Sequence, residues 1–245
     1  MRPVVISQPM FFPWVGFFEQ MRLAEIYVYL DDVQLPQGRS FMNRVQIKTL
    51  HGMQWLTMPI NRSSSKVRIN QVTIDESTNW RRKHLQSLKQ SYAGAVFKKN
   101  MLDLVSSVYE KPFKSLVDLN MYSHTLVLEY FGLNKGKQVL RSSTLPVSGS
   151  KTERLIEIVK HLKGDLYITG HGALRYLDHN AFERENIRVE YMNYLKLSYP
   201  QLHGAFTPYV SVLDLIANVG PSGVDYICSA GQFWRDFTRD FYEQN

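Results

Sequence analysis

The segment GSKTERLIEIVKHLKG at residues 149–164 lies between two strand-like segments, KQVLRSS and DLYITG. Its residues follow a helical pattern: Ser150 and Glu153 as a capping box, an apolar stripe of Leu155, Ile156, Val159 and Leu162, and Gly164 at the end. A strand, a helix and a strand in this order predict a parallel crossover. This segment therefore predicts a parallel sheet.

The other segments predict further strands and helices around that sheet. VVIS, GFFEQMRLA and IYVYLDDVQ read as strand, helix and strand, while NRVQIKT and QWLTMPI alternate around LHG as a hairpin, to which VRINQVTI adds a third antiparallel strand. Helical patterns cover residues 79–132, and IRVEYMNY is one more strand before two closing helices, SVLDLIANVG and GQFWRDFTRDFYEQ. The predicted fold class is α/β, with a largely parallel central sheet, flanking helices, an antiparallel hairpin and a helical insertion, in a single domain over residues 1–245.

The composition narrows the classes of function. Hydrophobic residues make up 44% and charged residues 21%, and no apolar run reaches the roughly 18 residues of a membrane span. One cysteine and no secretory signal pattern indicate a cytoplasmic protein. The net charge of +7 predicts an anionic partner, whether a nucleotide-linked substrate, a nucleic acid or an acidic head group.

In a parallel α/β sheet, binding sites gather at the carboxyl ends of the strands. The first such end carries QPMFFPWVGFF, in which the prolines fix the backbone and the aromatic rings Phe11, Phe12, Trp14 and Phe17 offer flat walls for sugar rings or bases. We expect Gln8 and Trp14 to line a pocket. Phe17 and Phe18 are expected to anchor the first helix in the core.

The second strand end carries Asp31, Asp32 and Gln34. Asp32 and Gln34 share a face, so we predict that pair in the site, with Asp32 as general base and Asp31 as the alternative. Magnesium binding, orientation of a lysine and capping of backbone donors are the other roles open to these carboxylates.

The hairpin and the later strands carry further candidates. Arg44 suits bidentate recognition of an anion, with Asn43 and Lys48 on the same segment. In TGHGALRYLD, Gly170 and Gly172 let backbone amides approach a phosphate, and His171 is either an acid or base or a structural hydrogen-bonding group. No HExxH-type metal spacing and no GxSxG elbow occurs.

The strings QPMFFPWVGFF, YVYLDDVQ, NRVQIKT, WLTMPI, NWRRKH, SSTL, YITGHGALRYLD and YPQLHGAFTPYVSVLDLIANVG resemble the WbqC-like family of bacterial proteins. The resemblance covers nearly the whole chain. It implies a role in making surface polysaccharides such as O-antigen of lipopolysaccharide, by acyl or aminoacyl transfer to amino sugars. It also implies roles for His84, Tyr176 and Gln201, which lie in these strings. Ser7 stands where the family usually has a histidine before QP.

These observations predict a cytoplasmic N-acyl or aminoacyl transferase that acts on the amine of a nucleotide-linked amino sugar, with an aminoacyl-tRNA or another activated acyl group as donor. No cofactor is identified. The alternatives are a non-catalytic sugar-nucleotide-binding protein and an RNA-binding module. The predicted catalytic residues are Asp32, His84 and His171, and the predicted binding residues are Gln8, Trp14, Asp31, Gln34, Asn43, Arg44, Lys48, Gly170, Gly172, Tyr176 and Gln201.

Overall fold

The computed structural model describes residues 1–38, 40–61, 64 and 66–243. Its strands are β1 (Pro3–Ser7), β2 (Ile26–Tyr29), β3 (Arg44–Thr49), β4 (Gly52–Thr57), β5 (Ile60–Asn61), β6 (Thr73–Ile74), β7 (Gln138–Arg141), β8 (Leu166–Thr169), β9 (Arg188–Met192) and β10 (Gly231–Phe233). Its helices are α1 (Val15–Leu23), α2 (Trp80–Ser91), α3 (Lys98–Tyr109), α4 (Leu116–Tyr130), α5 (Lys151–His161), α6 (His179–Arg184), α7 (Val212–Val219) and α8 (Trp234–Glu243).

The central sheet has the strand order β10-β9-β8-β1-β2-β7 and is parallel except for its edge strand β10. This confirms the predicted α/β fold with a largely parallel sheet. The chain moves from β1 through α1 to β2 on one side, and α5 brings it from β7 back to β8 on the other side of β1. The direction of winding therefore reverses between β1 and β8, which is the position where open α/β sheets bind ligands.

Alternating residues of the central strands enter two hydrophobic clusters on opposite faces of the sheet. In β1, Val4 and Ile6 belong to the cluster formed with α5, α6 and α8, whereas Val5 belongs to the cluster formed with α1, α3, α4 and α7. β2 repeats the pattern, with Val28 on the first face and Tyr27 on the second. Because both faces are covered by helices, the strands are apolar on both sides.

The predicted antiparallel hairpin is present as β3 and β4, and its register pairs Arg44 with Thr57 and Lys48 with Met53. The third strand predicted for VRINQVTI is wrong. Residues 69–71 form a 3-10 turn, in which the Gln71 side chain accepts a hydrogen bond from the Arg68 N–H at 3.2 Å. Arg68 forms only an isolated bridge with Gln34, and Thr73–Ile74 pair with β5 instead of the hairpin. A local side-chain bond of this kind competes with extended pairing.

The predicted helical segment contains α2, α3 and α4. The closing helix begins later than predicted, since residues 231–233 pair with β9 as the antiparallel edge strand β10 before α8 starts at Trp234. None of the helices in the described part of the chain combines the length and apolar character needed to cross a membrane.

The ends of α5 differ in detail from the prediction. Ser150 is the N-cap but makes no side-chain capping bond, because the chain enters the helix through Lys151 at φ 50°. At the other end the left-handed residue is Lys163, at φ 55°, and Gly164 follows it. A Cβ atom on Gly164 would lie 2.5 Å from Cγ2 of Val4, so the glycine is required by close packing between α5 and β1.

Gly164→Ala is therefore expected to lower the free energy of unfolding by about 1–3 kcal/mol, the usual cost of overpacking a core. Gly94 is exposed, and no heavy atom lies within 4 Å of the position that a Cβ atom would occupy there. Gly94→Ala should consequently change stability by no more than about 0.5 kcal/mol. Urea unfolding of both variants checks this, and equal effects would contradict the packing argument.

Candidate functional site

A pocket of about 520 Å³ opens where the winding of the sheet reverses, at the carboxyl ends of β1 and β8. It is formed by the end of β1, the turn before α1, the segment after β8, the segment after β9 and the side chain of Tyr209. Six of the predicted site residues line it: Gln8, Trp14, Gly170, His171, Gly172 and Tyr176.

The turn before α1 is held by buried polar side chains from distant helices. Asn120 Nδ2 donates to the Pro9 carbonyl at 3.1 Å, and His124 Nε2 donates to the Met10 carbonyl at 2.7 Å. Ser211, just before α7, donates its hydroxyl to the Phe12 carbonyl at 2.8 Å. These carbonyl groups of the irregular turn therefore have hydrogen-bond partners within the protein.

The aromatic residues of this turn divide between core and pocket. Phe11 and Phe12 are fully buried, which corrects the expectation that they form pocket walls. Phe17 and Phe18 are buried as expected, and Phe17 also contributes to the pocket wall. Trp14 is half-buried and lines the pocket. Gly16 allows this placement, because a Cβ atom there would lie 2.7 Å from Trp14 Nε1.

The pocket floor joins β1, α1 and β8. Ser7, at the position where the family resemblance has a histidine, donates its hydroxyl to Gln20 Oε1 at 3.1 Å. A Cβ on Gly170 would lie 2.5 Å from Gln20 Nε2, whereas Gly172 has open space around its Cβ position. Gly170 therefore leaves room for the end of the Gln20 side chain to lie against the backbone.

His171 is held at one side of the pocket. Its Nε2 lies 3.1 Å from the Met192 carbonyl, and its ring centroid lies 4.7 Å from that of Phe237. Partial burial lowers the pKa of His171, the bond to Met192 opposes this, and the Lys196 cation lowers the pKa further. Because the carbonyl fixes the proton on Nε2, the neutral ring presents Nδ1 as an acceptor.

Sequence reasoning missed Lys196 and Tyr209, which also line the pocket. Lys196 has a left-handed backbone at φ 53°, and its Nζ lies 5.6 Å from the ring centroid of Tyr209. Tyr209 and Tyr176 are 55% and 56% exposed, which is unusual for large rings beside a pocket. The position of Lys196 shortly after a parallel strand is the one signal that could have indicated it.

Asp31 and Asp32 follow directly after Leu30, the last pocket residue of that segment. Asp31 is fully buried and accepts from the Ser143 N–H at 3.0 Å and its hydroxyl at 2.8 Å. Asp32 accepts from Ser142 Oγ at 2.6 Å and forms an ion pair with Arg154 of α5. These bonds place both carboxylates in a junction between β2, β7 and α5.

The environment of Asp32 does not favour a general base. Burial alone would raise its pKa, but the hydrogen bonds from Ser142 and Arg154, with the charge of Arg154, outweigh burial and lower the pKa. A carboxylate with a lowered pKa binds a proton weakly.

The hairpin residues Lys48 and Asn43, predicted as binding residues, lie outside the pocket lining and make contacts within the protein. Lys48 is 6% exposed and donates to Gln201 Oε1 at 3.0 Å and to the carbonyls of Gly204 and Ala205 at 3.0 and 2.6 Å. Asn43 is buried and donates to the Met58 carbonyl at 2.9 Å.

Three other predicted residues also lie outside the pocket lining. The Arg44 guanidinium lies 4.0 Å from the ring centroid of Trp55, on the outer face of the hairpin. Gln34 forms an isolated bridge with Arg68, and Gln201 Nε2 donates to Asp214 Oδ1 at 2.8 Å.

His84 is buried between α2, α3 and the hairpin. The Tyr109 hydroxyl lies 2.9 Å from its Nδ1, and its Nε2 lies 3.1 Å from the Thr57 carbonyl. Burial lowers the pKa of His84 to about 4, so the ring is neutral at physiological pH. Its two nitrogens are both engaged within the protein, and His84 lies outside the pocket lining, an arrangement that favours a structural role.

No cluster of three metal-ligating side chains occurs within residues 1–38, 40–61, 64 and 66–243. The side chains of the pocket lining that can bind a ligand or transfer a proton include His171, Lys196, Gln8 and the exposed aromatic rings. Such a set can bind a ring with an attached anion and accept a proton.

The fold and the pocket define an α/β protein whose candidate site lies at the switch point of its sheet. The chain belongs to the WbqC-like protein family, which matches residues 8–226. A protein of Mycobacterium tuberculosis (strain ATCC 25618 / H37Rv), named Uncharacterized protein Rv1507c, is 31% identical over 232 residues, covering 93% of this chain and 98% of that protein. No solved structure matches the chain.

The structural role of His84 predicts a pH effect on stability. Its pKa is about 4 in the folded chain, below the unfolded value of 6.5, so the unfolded state binds the proton first and stability falls as the pH falls from 6.5 towards 4. The expected slope is about 1.4 kcal/mol per pH unit. His84→Gln, which keeps a donor for Thr57, should remove this component from urea unfolding measured between pH 6 and 4.5. An unchanged slope would contradict the assignment.

The Asp32 contacts predict a loss of stability when its charge is removed. Asp32→Asn should lower the melting temperature by about 3–12 °C, since a hydrogen bond to a charged group contributes about 1.5–3 kcal/mol and each kcal/mol corresponds to roughly 2–4 °C at this chain length. Thermal unfolding at pH 7 measures the change. A variant that melts as the wild type does, but loses activity, would restore Asp32 as a catalytic candidate.

Proposed function

We propose that this chain is a cytoplasmic transferase of bacterial surface polysaccharide synthesis, such as O-antigen synthesis, which acylates or aminoacylates the amine of a nucleotide-linked amino sugar. The observation that carries the proposal is the pocket at the switch point, which is lined by both His171 and Lys196, and in which the Lys196 cation helps to lower the pKa of His171. Membership of the WbqC-like family supports it.

The pocket walls suit a sugar with an attached phosphate. Trp14, Tyr176 and Tyr209 offer ring faces that pack against the apolar face of a sugar. Gln8 offers both a donor and an acceptor to sugar hydroxyls at the end of β1. Lys196 supplies the charge that attracts a phosphate, in agreement with the net charge of +7.

His171 is the candidate base for the transfer. Its Nδ1 accepts a proton from the sugar amine while the amine nitrogen forms a bond to the acyl carbon. The bond between that carbon and the donor's oxygen or sulfur then breaks, and the leaving group departs with the electron pair. Return of the proton from His171 to the leaving group restores the neutral ring and leaves an amide.

The acyl donor is a second substrate, and the chemistry requires an activated ester or thioester. An aminoacyl-tRNA is one such ester, and α2 exposes Arg82 and Lys89, whose charges suit a phosphate backbone. The alternative function, binding of the nucleotide sugar without catalysis, requires the same pocket but does not require a base beside the amine. Donor panels and a His171 variant separate the two functions.

The binding part of the proposal predicts selective stabilisation by ligands. UDP-glucosamine should raise the melting temperature more than free glucosamine does, because Lys196 contributes only when a phosphate is present. Lys196→Met should reduce the difference. Lys163→Met is the matched control, since Lys163 is also a left-handed lysine but lies outside the pocket lining. Equal shifts for both sugars in the wild type would remove the proposal.

The catalytic part predicts a base that works at lower pH than an ordinary histidine. Because the pKa of His171 is lowered, acyl transfer measured by mass spectrometry should persist below pH 6.5 and fall as the pH falls through the lowered pKa. His171→Gln should reduce turnover about 100-fold or more while UDP-glucosamine still binds. Full turnover in that variant would overturn the assignment of His171 as the base, while the proposed binding of the sugar nucleotide would stand.

A further inference from the structure

We propose a second ring-binding subsite beside the pocket, formed by Trp14, Phe41, Trp55 and Arg44, which holds the nucleobase of a nucleotide-linked ligand. This inference rests on the proposed function, because it assigns a place to the part of the ligand that lies beyond the sugar and phosphates.

The subsite is continuous with the pocket through aromatic contacts. Trp14 lines the pocket, and its ring centroid lies 5.9 Å from that of Phe41. Phe41 lies 5.9 Å from Trp55, centroid to centroid, and the Arg44 guanidinium lies 4.0 Å from the Trp55 ring. A chain of ring contacts therefore leads from the pocket to the outer face of the hairpin.

Phe41 is the exposed member of this chain. It is 44% exposed, although a phenylalanine contributes most when it is buried. Its backbone is nevertheless fixed, since the Phe41 carbonyl accepts from the Phe11 N–H at 2.9 Å and Asn120 Nδ2 donates to the Met42 carbonyl at 2.8 Å. The backbone that carries the ring is therefore ordered before a ligand binds, which limits the entropy lost on binding.

The register of the hairpin explains why the platform faces outwards. Trp55 pairs with Gln46 and lies on the same face of the hairpin as Arg44, whereas Val45, Ile47 and Leu56 point into the core. The opposite face is buried at its Lys48 end against residues 201–205, whereas at its other end it carries Arg44 and Trp55, which are half-buried and stacked on each other. This assigns a role to a motif that lies outside the pocket lining.

The chemistry of the platform favours a nucleobase. Bases have flat π faces that stack on aromatic side chains with little dependence on sequence, and arginine planes contribute to such sites. A nucleoside diphosphate sugar carries one ring at each end of its phosphates. With the sugar in the pocket and the phosphates near its mouth, the base lies outside the pocket, and the aromatic chain begins there at Trp14.

The test compares two probes, UDP-glucosamine and glucosamine 1-phosphate, by calorimetric titration of the full chain. Phe41→Ala should weaken UDP-glucosamine binding about tenfold, the typical effect of removing one stacking ring, and leave glucosamine 1-phosphate unchanged. Phe41→Tyr should restore the wild-type affinity because it retains the ring. Leu50→Ala, at an exposed apolar residue in the hairpin turn, should change neither affinity.

Several results would overturn the subsite while the proposed function stands. One is a wild type that binds UDP-glucosamine no more tightly than glucosamine 1-phosphate. Another is a Phe41→Ala variant that keeps its affinity for UDP-glucosamine, or that loses both ligands equally because Trp14 has moved. A wild type that binds neither probe would instead overturn the proposed function, and the subsite with it.

Discussion

The structure around the pocket depends on hydrogen bonds that buried side chains donate to the backbone carbonyls of the turn after β1. The carbonyls of Pro9 and Met10 accept hydrogen bonds from the side chains of Asn120 and His124 in α4. The Phe12 carbonyl accepts one from the Ser211 hydroxyl, just before α7. The Val212 N–H also donates to the Pro13 carbonyl at 2.8 Å. These bonds tie the central strand to helices more than a hundred residues away in sequence, so the position of Trp14 at the pocket depends on the whole helical layer.

A second buried network fixes the loop that carries Tyr209. Asp214 is fully buried and accepts from Tyr92 at 3.0 Å, Tyr199 at 2.9 Å and Gln201 at 2.8 Å. Burial raises the pKa of Asp214, whereas the three hydrogen bonds and the Lys48 cation lower it by less. Lys48 completes the network by binding Gln201. These residues hold the loop in place, and Tyr209 reaches the pocket as a result.

The parts of the fold that were predictable from sequence are those set by local patterns. The stripe of α5 and the apolar runs of β1, β2 and β8 depend on periodicity, and the parallel order follows from the crossover. The three residues of β10 were not predictable, because GQF precedes a strongly amphipathic helix and only its pairing with β9 makes it a strand. The 3-10 turn at Ile69 combines backbone bonds with one hydrogen bond that the Gln71 side chain accepts from the Arg68 N–H, and no sequence periodicity indicates it.

The same distinction applies to the candidate site. The rule of strand ends placed Gln8, Trp14 and His171 at one edge of the sheet, and all three line the pocket. A polar residue in sequence does not reveal whether its partner is another side chain or a ligand, and this is why Lys48 was assigned to binding. Lys196 lies in a segment with no motif, and its left-handed backbone is visible only in the structure.

Two polar groups at the carboxyl edge of the sheet, Asp32 and His171, show that the partners of a side chain decide whether it has a structural role or can take part in a reaction. In the first, Asp32 has Arg154 and Ser142 as partners, so its charge is compensated within the protein. In the second, His171 uses only Nε2 for a backbone bond, and its neighbour Lys196 raises the cost of a second positive charge. The first arrangement holds α5 against β2 and β7. The second keeps an imidazole nitrogen neutral and able to accept a proton, which is the property required for removing one from an amine.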